Sequence, residues 1–306
     1  MRLITDAEVG SVLNMREAID AIRAAFQQYG DGSGALMARG RAAAECAGRP
    51  VMISALGAAL PAGGVLGAKV YSTVGGQFNF VVALFSAQTG KPLAVLEANE
   101  ITRLRTAAAT AVAAERLAAR EARVLSIFGA GVQAHAHAEA LLLVHAYERV
   151  LVAARSGAPE LADWVATEFG VPAEAVDAAT AAAQGDVIVT CTRATEALFD
   201  GRLVRPGAFV AAVGSSKPQA REIDDSLLER ADLVVVEWLT AAQAEAGDLI
   251  RAAPGVIDPG RLVELGKLLV GGVAYERRAH DIVVYKSVGV GLEDVALAQL
   301  VWERLQ

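Results

Sequence analysis

The sequence predicts an α/β protein built on a doubly wound parallel sheet, preceded by a helical and then a strand-rich region. Three observations carry this reading. From Glu121 onward, short apolar runs rich in Val, Ile and Ala alternate with helical stretches, as expected of strands buried on both faces and joined by crossover helices. The first of those runs ends in a glycine turn that opens a helix. Upstream, from about residue 35 to residue 96, "PVMISAL", "LGAKVYSTV" and "FNFVVALFS" read as short strands.

Taken in order, Asp6 is placed to cap a short first helix, and Asn14 with Glu17 forms a capping-box pattern ahead of "MREAIDAIRAAFQQYG". Met15, Ile19, Ile22 and Phe26 recur at helical spacing, and Gly30 is the expected stop. The β-like runs follow, with Gly90 and Pro92 marking a turn before a last strand in "SAQTGKPLAVLE". A long helix is expected over roughly 100–119. The parallel strands are then "RVLSIFG", "RVLVAAR", "GDVIVTC", "GAFVAAVG", "ADLVVVEW" and "DIVVYKSVG", and "GLEDVALAQLVWERL" closes the chain as an amphipathic helix. The change of texture near residue 120 has no low-complexity linker, so it marks a domain boundary and not a flexible hinge.

Composition narrows the function classes. At 306 residues the chain is long for a single core, and two domains are expected. With 54% hydrophobic and 21% charged residues it is globular. A net charge of -7 offers no basic footprint for nucleic acid. Runs such as "DLVVVEWL" fall far short of the roughly 20 apolar residues of a membrane span, and "MRLITDAEVG" lacks the apolar stretch of a signal peptide. Cys46 and Cys191 are isolated, which suggests neither a disulfide framework nor a zinc site and makes the cytoplasm the expected compartment.

"SIFGAGVQAHAHAEAL" sets Gly129, Gly131 and Ala134 in the G-x-G-x-x-A spacing, directly after the strand 124–128 and at the start of a helix. That is the context of a Rossmann-type dinucleotide loop: the first Gly allows the tight turn, the second lets the backbone approach a pyrophosphate, and the small third residue lets helix and strand pack closely. The next strand ends in Ala153, Ala154, Arg155 and Ser156. An acid for a ribose 2′-hydroxyl is missing, and an arginine beside a hydroxyl suits a 2′-phosphate. NADP(H) is therefore favoured over NAD(H), unless Arg155 is only a surface charge.

Several cations stand in the first part of the chain. Lys69 lies inside "LGAKVYS", on the face it shares with residues 67 and 71. Arg39 and Arg41 precede the strands, and Arg105 with Thr106 heads the Ala-rich run "RTAAATAV". Each alone reads first as a solvated surface charge. Together they make a pocket for a small carboxylate, where a shielded Arg–carboxylate pair contributes roughly 1.5–3 kcal/mol. A helical turn beginning at Arg105–Thr106 would add its dipole. His135 and His137, two residues apart, do not share a helix face, and Glu293 and Asp294 read as a cap of the last helix before they read as acid–base groups.

The motifs "LRTAAATAVAAERLA", "SIFGAGVQAHAHAEAL", "AAVGSSKPQAREID" and "VVYKSVGVGLEDVALA" resemble, in order and spacing, those of the ornithine cyclodeaminase/mu-crystallin family from about Met37 to the C-terminus. The resemblance implies a discontinuous α+β substrate-binding and dimerisation domain, residues 1–119 with 291–306, and an inserted Rossmann domain, residues 120–290. It further implies a homodimer and an active site in the cleft between the domains.

Carried over residue by residue, "LMAR" resembles the family's "MPR" segment, so Arg39 matches a carboxylate ligand, with Arg41 the alternative if the loop is shifted. Lys69 matches the substrate lysine and Arg105 the second carboxylate-binding arginine; these two are the catalytic candidates. Thr106, Thr190, Lys286, Ser287 and Gly289 match positions near the cofactor, as do Gly129, Gly131, Val132 and Gln133 of the loop and Arg155 with Ser156 after the next strand. The resemblance also puts the loop of Cys191 near the cofactor.

Two departures matter. Ornithine cyclodeaminases carry an Asp where this chain has Ser216, and a Glu at the position apparently occupied by Pro50. Without those carboxylates nothing receives a second ammonium, and an unpartnered buried amine is costly. The expected function is therefore reduction of a small cyclic imine carboxylate, of pyrroline- or piperideine-2-carboxylate type, to the cyclic amino acid by NAD(P)H, with Ser216 on the substrate side. The rivals are an ornithine cyclodeaminase, an alanine-dehydrogenase-like enzyme and a mu-crystallin-like ligand-binding protein.

Overall fold

Thr5, one residue ahead of the expected Asp6, caps the first helix: its hydroxyl accepts from the Glu8 amide, and Glu8 in turn accepts from the Thr5 amide. Asp6 serves a different helix. Its carboxylate accepts from the amides of Asn99 and Glu100, satisfying donors that the start of the long helix leaves open. In the computed structural model, which describes residues 1–306, the elements up to that point are β1 (Arg2–Ile4), α1 (Asp6–Val12), α2 (Met15–Asp31), β2 (Ala35–Cys46), β3 (Arg49–Leu60), β4 (Val65–Val74), β5 (Gln77–Ser86), β6 (Pro92–Glu97) and α3 (Asn99–Leu117). Helix α2 starts at Asn14 as expected but runs past Gly30. It stops at Gly32, whose φ of 86° supplies the left-handed turn, while Gly30 stays helical and buried.

The chain divides into two units, residues 1–109 with 289–306 and residues 110–288. The division falls inside α3 and not at the texture change near residue 120, because the Ala-rich helix is continuous and buried through that point.

In the first unit, the strands form one sheet in the order β1-β6-β5-β4-β3-β2, antiparallel except for β1 beside β6. Its inner face carries Leu56, Tyr71, Val82, Leu84 and Leu96, all buried, and packs against the closing helix, α11 (Gly291–Arg304, labelled in chain order). Glycines set how closely that helix approaches. A β-carbon on Gly291 would stand 2.4 Å from the Gly57 Cα, so backbone meets backbone there. The outer face is apolar but open, with Ile53 54% and Val81 39% exposed.

The second unit runs β7 (Val124–Phe128), α4 (Val132–Val144), β8 (Arg149–Ala153), α5 (Ala158–Phe169), β9 (Ala173–Ala175), α6 (Ala178–Gln184), β10 (Val187–Thr190), β11 (Phe209–Ala212), α7 (Asp225–Arg230), β12 (Leu233–Val236), α8 (Leu239–Glu245), α9 (Gly247–Ile250), β13 (Leu262–Glu264), α10 (Leu265–Leu269) and β14 (Val283–Lys286). Its eight strands are all parallel, in the order β13-β12-β14-β11-β10-β7-β8-β9. The expected α/β, doubly wound, Rossmann-type sheet is present, with β9 and β13 added at its edges. The order reverses between β7 and β10, where Phe128 pairs with Thr190. Ligands of such sheets bind outside the strand carboxyl ends at this reversal.

Candidate active site

At the reversal, Gly129 leaves β7 with φ 110°, and a β-carbon there would stand 2.8 Å from the Cys191 carbonyl oxygen. Only glycine fits that turn. Gly131 then begins α4 with no side-chain cap and with open space where a β-carbon would be. An uncapped helix start with room for a close approach suits a phosphate. Ala134 is fully buried at the helix–strand contact, while Val132 is 66% exposed beside the uncapped turn and Gln133 half-buried. Arg155 and Ser156, after β8, are exposed. These features fit a dinucleotide: a cradle that a β-carbon would fill, a helix start without a side-chain cap, and a cation one strand away.

Other residues at the same strand ends are held by buried acids. Glu222 accepts from the Thr190 hydroxyl at 2.8 Å, the Thr192 amide and hydroxyl at 2.8 and 2.6 Å, and the Gly214 amide at 2.7 Å. It thereby ties together the loops after β10 and β11. Glu237 accepts from Ser287 at 2.6 Å and the Val288 amide at 2.9 Å. Lys286, expected near the cofactor, is fully buried; its ammonium is paired with Asp248 at 2.8 Å and donates to the Ser215 carbonyl. A buried ion pair of this kind braces the loop after β11. Cys191 is half-buried, and burial first, then Glu222, pushes its thiol well up. Ser216 is half-buried in the loop after β11.

His137 on α4 donates through Nδ1 to the Gln133 carbonyl at 2.7 Å, and its Nε2 is hydrogen-bonded to the Thr110 hydroxyl at 3.0 Å. The buried ring is a strut between α4 and α3.

The first unit gathers the cations. Lys69 on β4 is 2% exposed, and its ammonium is 2.7 Å from Asp294 Oδ1 and 5.1 Å from the centre of the Phe80 ring. Arg105 on α3 is 9% exposed; Nη1 is 2.7 Å from Glu293 Oε2 and Nε is 3.6 Å from Asp294 Oδ1. Arg39, half-buried at an irregularity of β2, donates to the Gly289 carbonyl at 2.8 Å. Gly289 has φ 73°, and a β-carbon on it would stand 2.6 Å from Arg105 Nη1.

Arg41 is paired in register with Ser54 and exposed. Arg105 sits in the second turn of α3, which begins at Asn99, so the terminus of its own helix does not add to its field. The buried Thr106 hydroxyl donates to the Thr102 carbonyl within the same helix.

Glu293 does cap the last helix, accepting from the Val290 amide at 3.1 Å. It and Asp294 also serve as the counter-charges of Arg105 and Lys69, which the sequence reading did not assign. The available signal was Lys69 itself, since a lysine inside a buried strand requires an acid partner. Burial first, and then the charges of Arg105 and Arg39, lower its pKa to about 8 against the opposing pull of Asp294.

The profile of the ornithine cyclodeaminase/mu-crystallin family matches residues 2–306. A Delta(1)-pyrroline-2-carboxylate reductase of Bacillus cereus is 36% identical over 231 residues, 74% of this chain and 71% of that protein. The crystal structure of a probable ornithine cyclodeaminase from Bordetella pertussis Tohama I superposes with a TM-score of 0.94 at 46% identity, covering 100% of this chain and 97% of that one. The Thermococcus litoralis Delta(1)-pyrroline-2-carboxylate reductase, solved in complex with NADH and L-proline, gives a TM-score of 0.92 at 28% identity over 99% of this chain and 97% of its own.

Proposed function

The chain belongs to the ornithine cyclodeaminase/mu-crystallin family, and from that premise we propose that it is an NAD(P)H-dependent oxidoreductase that reduces a small cyclic imine carboxylate to the cyclic amino acid. One observation carries the substrate class: three cations, Arg39, Lys69 and Arg105, are gathered around the Gly289 turn and the start of α11, at least two of them buried. Against them stand two acids, Glu293 and Asp294, so the cations are in excess; such an excess held away from water receives a carboxylate, and charge-assisted bonds to guanidinium are among the strongest available.

Arg105 and Arg39 hold the substrate carboxylate and so orient the ring. The Lys69 ammonium lies on the ring-nitrogen side and donates a proton or hydrogen bond there, which favours the iminium. Hydride is the chemistry supplied by the bound nicotinamide nucleotide. With that hydride delivered to C2, the C=N double bond would become single and the nitrogen would keep its proton as a secondary amine. In the second unit, the first amides of α4 hold the pyrophosphate and Gly129 leaves room for it. Arg155 with Ser156 receives a 2′-phosphate, which favours NADP(H). Ser216 contacts the substrate as a neutral group.

The open apolar sheet face in the first unit, including Ile53 and Val81, is covered by a second copy of the chain as a homodimer. Contiguous exposed apolar surface of this kind marks interaction sites.

The similarity to a probable ornithine cyclodeaminase favours a second reading, which the test separates. Purified protein is given pyrroline- or piperideine-2-carboxylate with NADPH or NADH, and in parallel ornithine with NAD. The expected result is nucleotide oxidation with the imines, faster with NADPH, with that preference lost in Arg155→Ala. Proline and ammonia from ornithine at a comparable rate would overturn the reductase reading.

A further inference from the structure

Lys69 is met by groups from four elements. Asp294 of α11 is at 2.7 Å and Thr102 of α3 at 3.5 Å, with the Phe80 ring of β5 at 5.1 Å. Arg105 of α3 and Arg39 of β2 act on it through their charges. Burial and both arginines disfavour the ammonium, and Asp294 is the carboxylate that opposes them.

The neighbouring acid has other work: Glu293 Oε2 is on Arg105 and Oε1 on the Val290 amide. Asp294, by contrast, has a buried second oxygen, Oδ2, with no hydrogen-bond partner, and its Oδ1 is hydrogen-bonded to Lys69 at 2.7 Å, with Arg105 Nε farther off at 3.6 Å. A carboxylate kept to stabilise the helix start would accept from the first amides of the helix. The Gly291–Gly57 contact brings this turn down to the sheet, so the carboxylate reaches Lys69 at the cost of its own full satisfaction.

We propose that Asp294 is a positioning residue that keeps the Lys69 ammonium charged and aimed at the substrate, while Glu293 serves Arg105. This rests on the imine reductase reading, and the two can fail separately.

The test uses the full chain labelled with 13Cε-lysine, which gives signals from five lysines, assigned through Lys69→Arg. In the unaltered protein the Lys69 signal titrates near pH 8, the value to which burial lowers it. In Asp294→Asn the midpoint falls by about one unit or more, a ten-fold change in proton affinity. The alkaline limb of kcat/KM for the imine moves down with it. Glu293→Gln leaves the titration in place and raises KM through Arg105.

An unmoved Lys69 midpoint in Asp294→Asn, or a moved midpoint with an unmoved kinetic limb, would overturn the proposal. If Asp294→Asn does not fold, Asp294→Glu decides: the charge is kept and the aim altered, so the midpoint stays while kcat falls about ten-fold or more, and an unchanged kcat overturns it. Absence of imine reduction in the unaltered protein, with the titration as described, would instead count against the function.

Discussion

Gly289 and Arg105 are fitted to each other. The glycine has φ 73°, its carbonyl receives Arg39, and any β-carbon would collide with the Arg105 guanidinium. Gly289→Ala therefore strains the backbone and pushes Arg105 off the position it shares with Glu293. Losing one charge-assisted hydrogen bond of about 1.5–3 kcal/mol corresponds to a KM rise of roughly 10- to 100-fold for the imine. Steady-state kinetics should show this rise with a smaller change in kcat, and an unaltered KM would remove the pair from the substrate site. At this scale the sequence was legible where one residue carries an anomaly. Lys69 within an apolar strand and Arg105 ahead of an alanine run both announced themselves. Their counter-charges did not, because Asp294 lies 225 residues from Lys69 and Glu293 lies 188 from Arg105, and two acids at a helix start are ordinary caps.

The parallel strands β7, β8, β10, β11, β12 and β14 were readable because burial on both faces makes each a continuous apolar run. The strands β1, β9 and β13, three residues each, carry no period to read; pairing with a neighbour makes them strands. The acid clamp at the strand ends was equally hidden. Glu222 reaches Thr190 across 32 positions and Gly214 across 8, so its role follows from sheet order and not from local sequence. Glu222→Gln replaces an acceptor of four donors by a group that is itself half donor. Stability should fall by about 1–3 kcal/mol in denaturant titration, and cofactor affinity should weaken as the loops after β10 and β11 loosen. Unchanged cofactor binding, measured by fluorescence titration, would limit Glu222 to stability alone.

For the whole molecule, the proposed homodimer would rest on the open face of the six-stranded sheet. Ile53, 54% exposed, belongs to an apolar surface that a homodimer would bury. Ile53→Asp should convert the dimer to a monomer in light scattering, and a monomeric unaltered protein would refute the assembly. The split of the first unit into residues 1–109 and 289–306 has a further consequence, for the order of folding. When the sheet has left the ribosome, Lys69 and Arg105 are present but their acids lie near the opposite end of the chain. Until α11 arrives, the apolar inner face lacks its cover and two cations lack their counter-charges. The inserted parallel-sheet unit meanwhile has all its strands and can fold first, as domains generally do as units. Helix α11 is thus the keystone of the first unit: its arrival covers the apolar inner face and completes the charge pairs of Lys69 and Arg105 in one step.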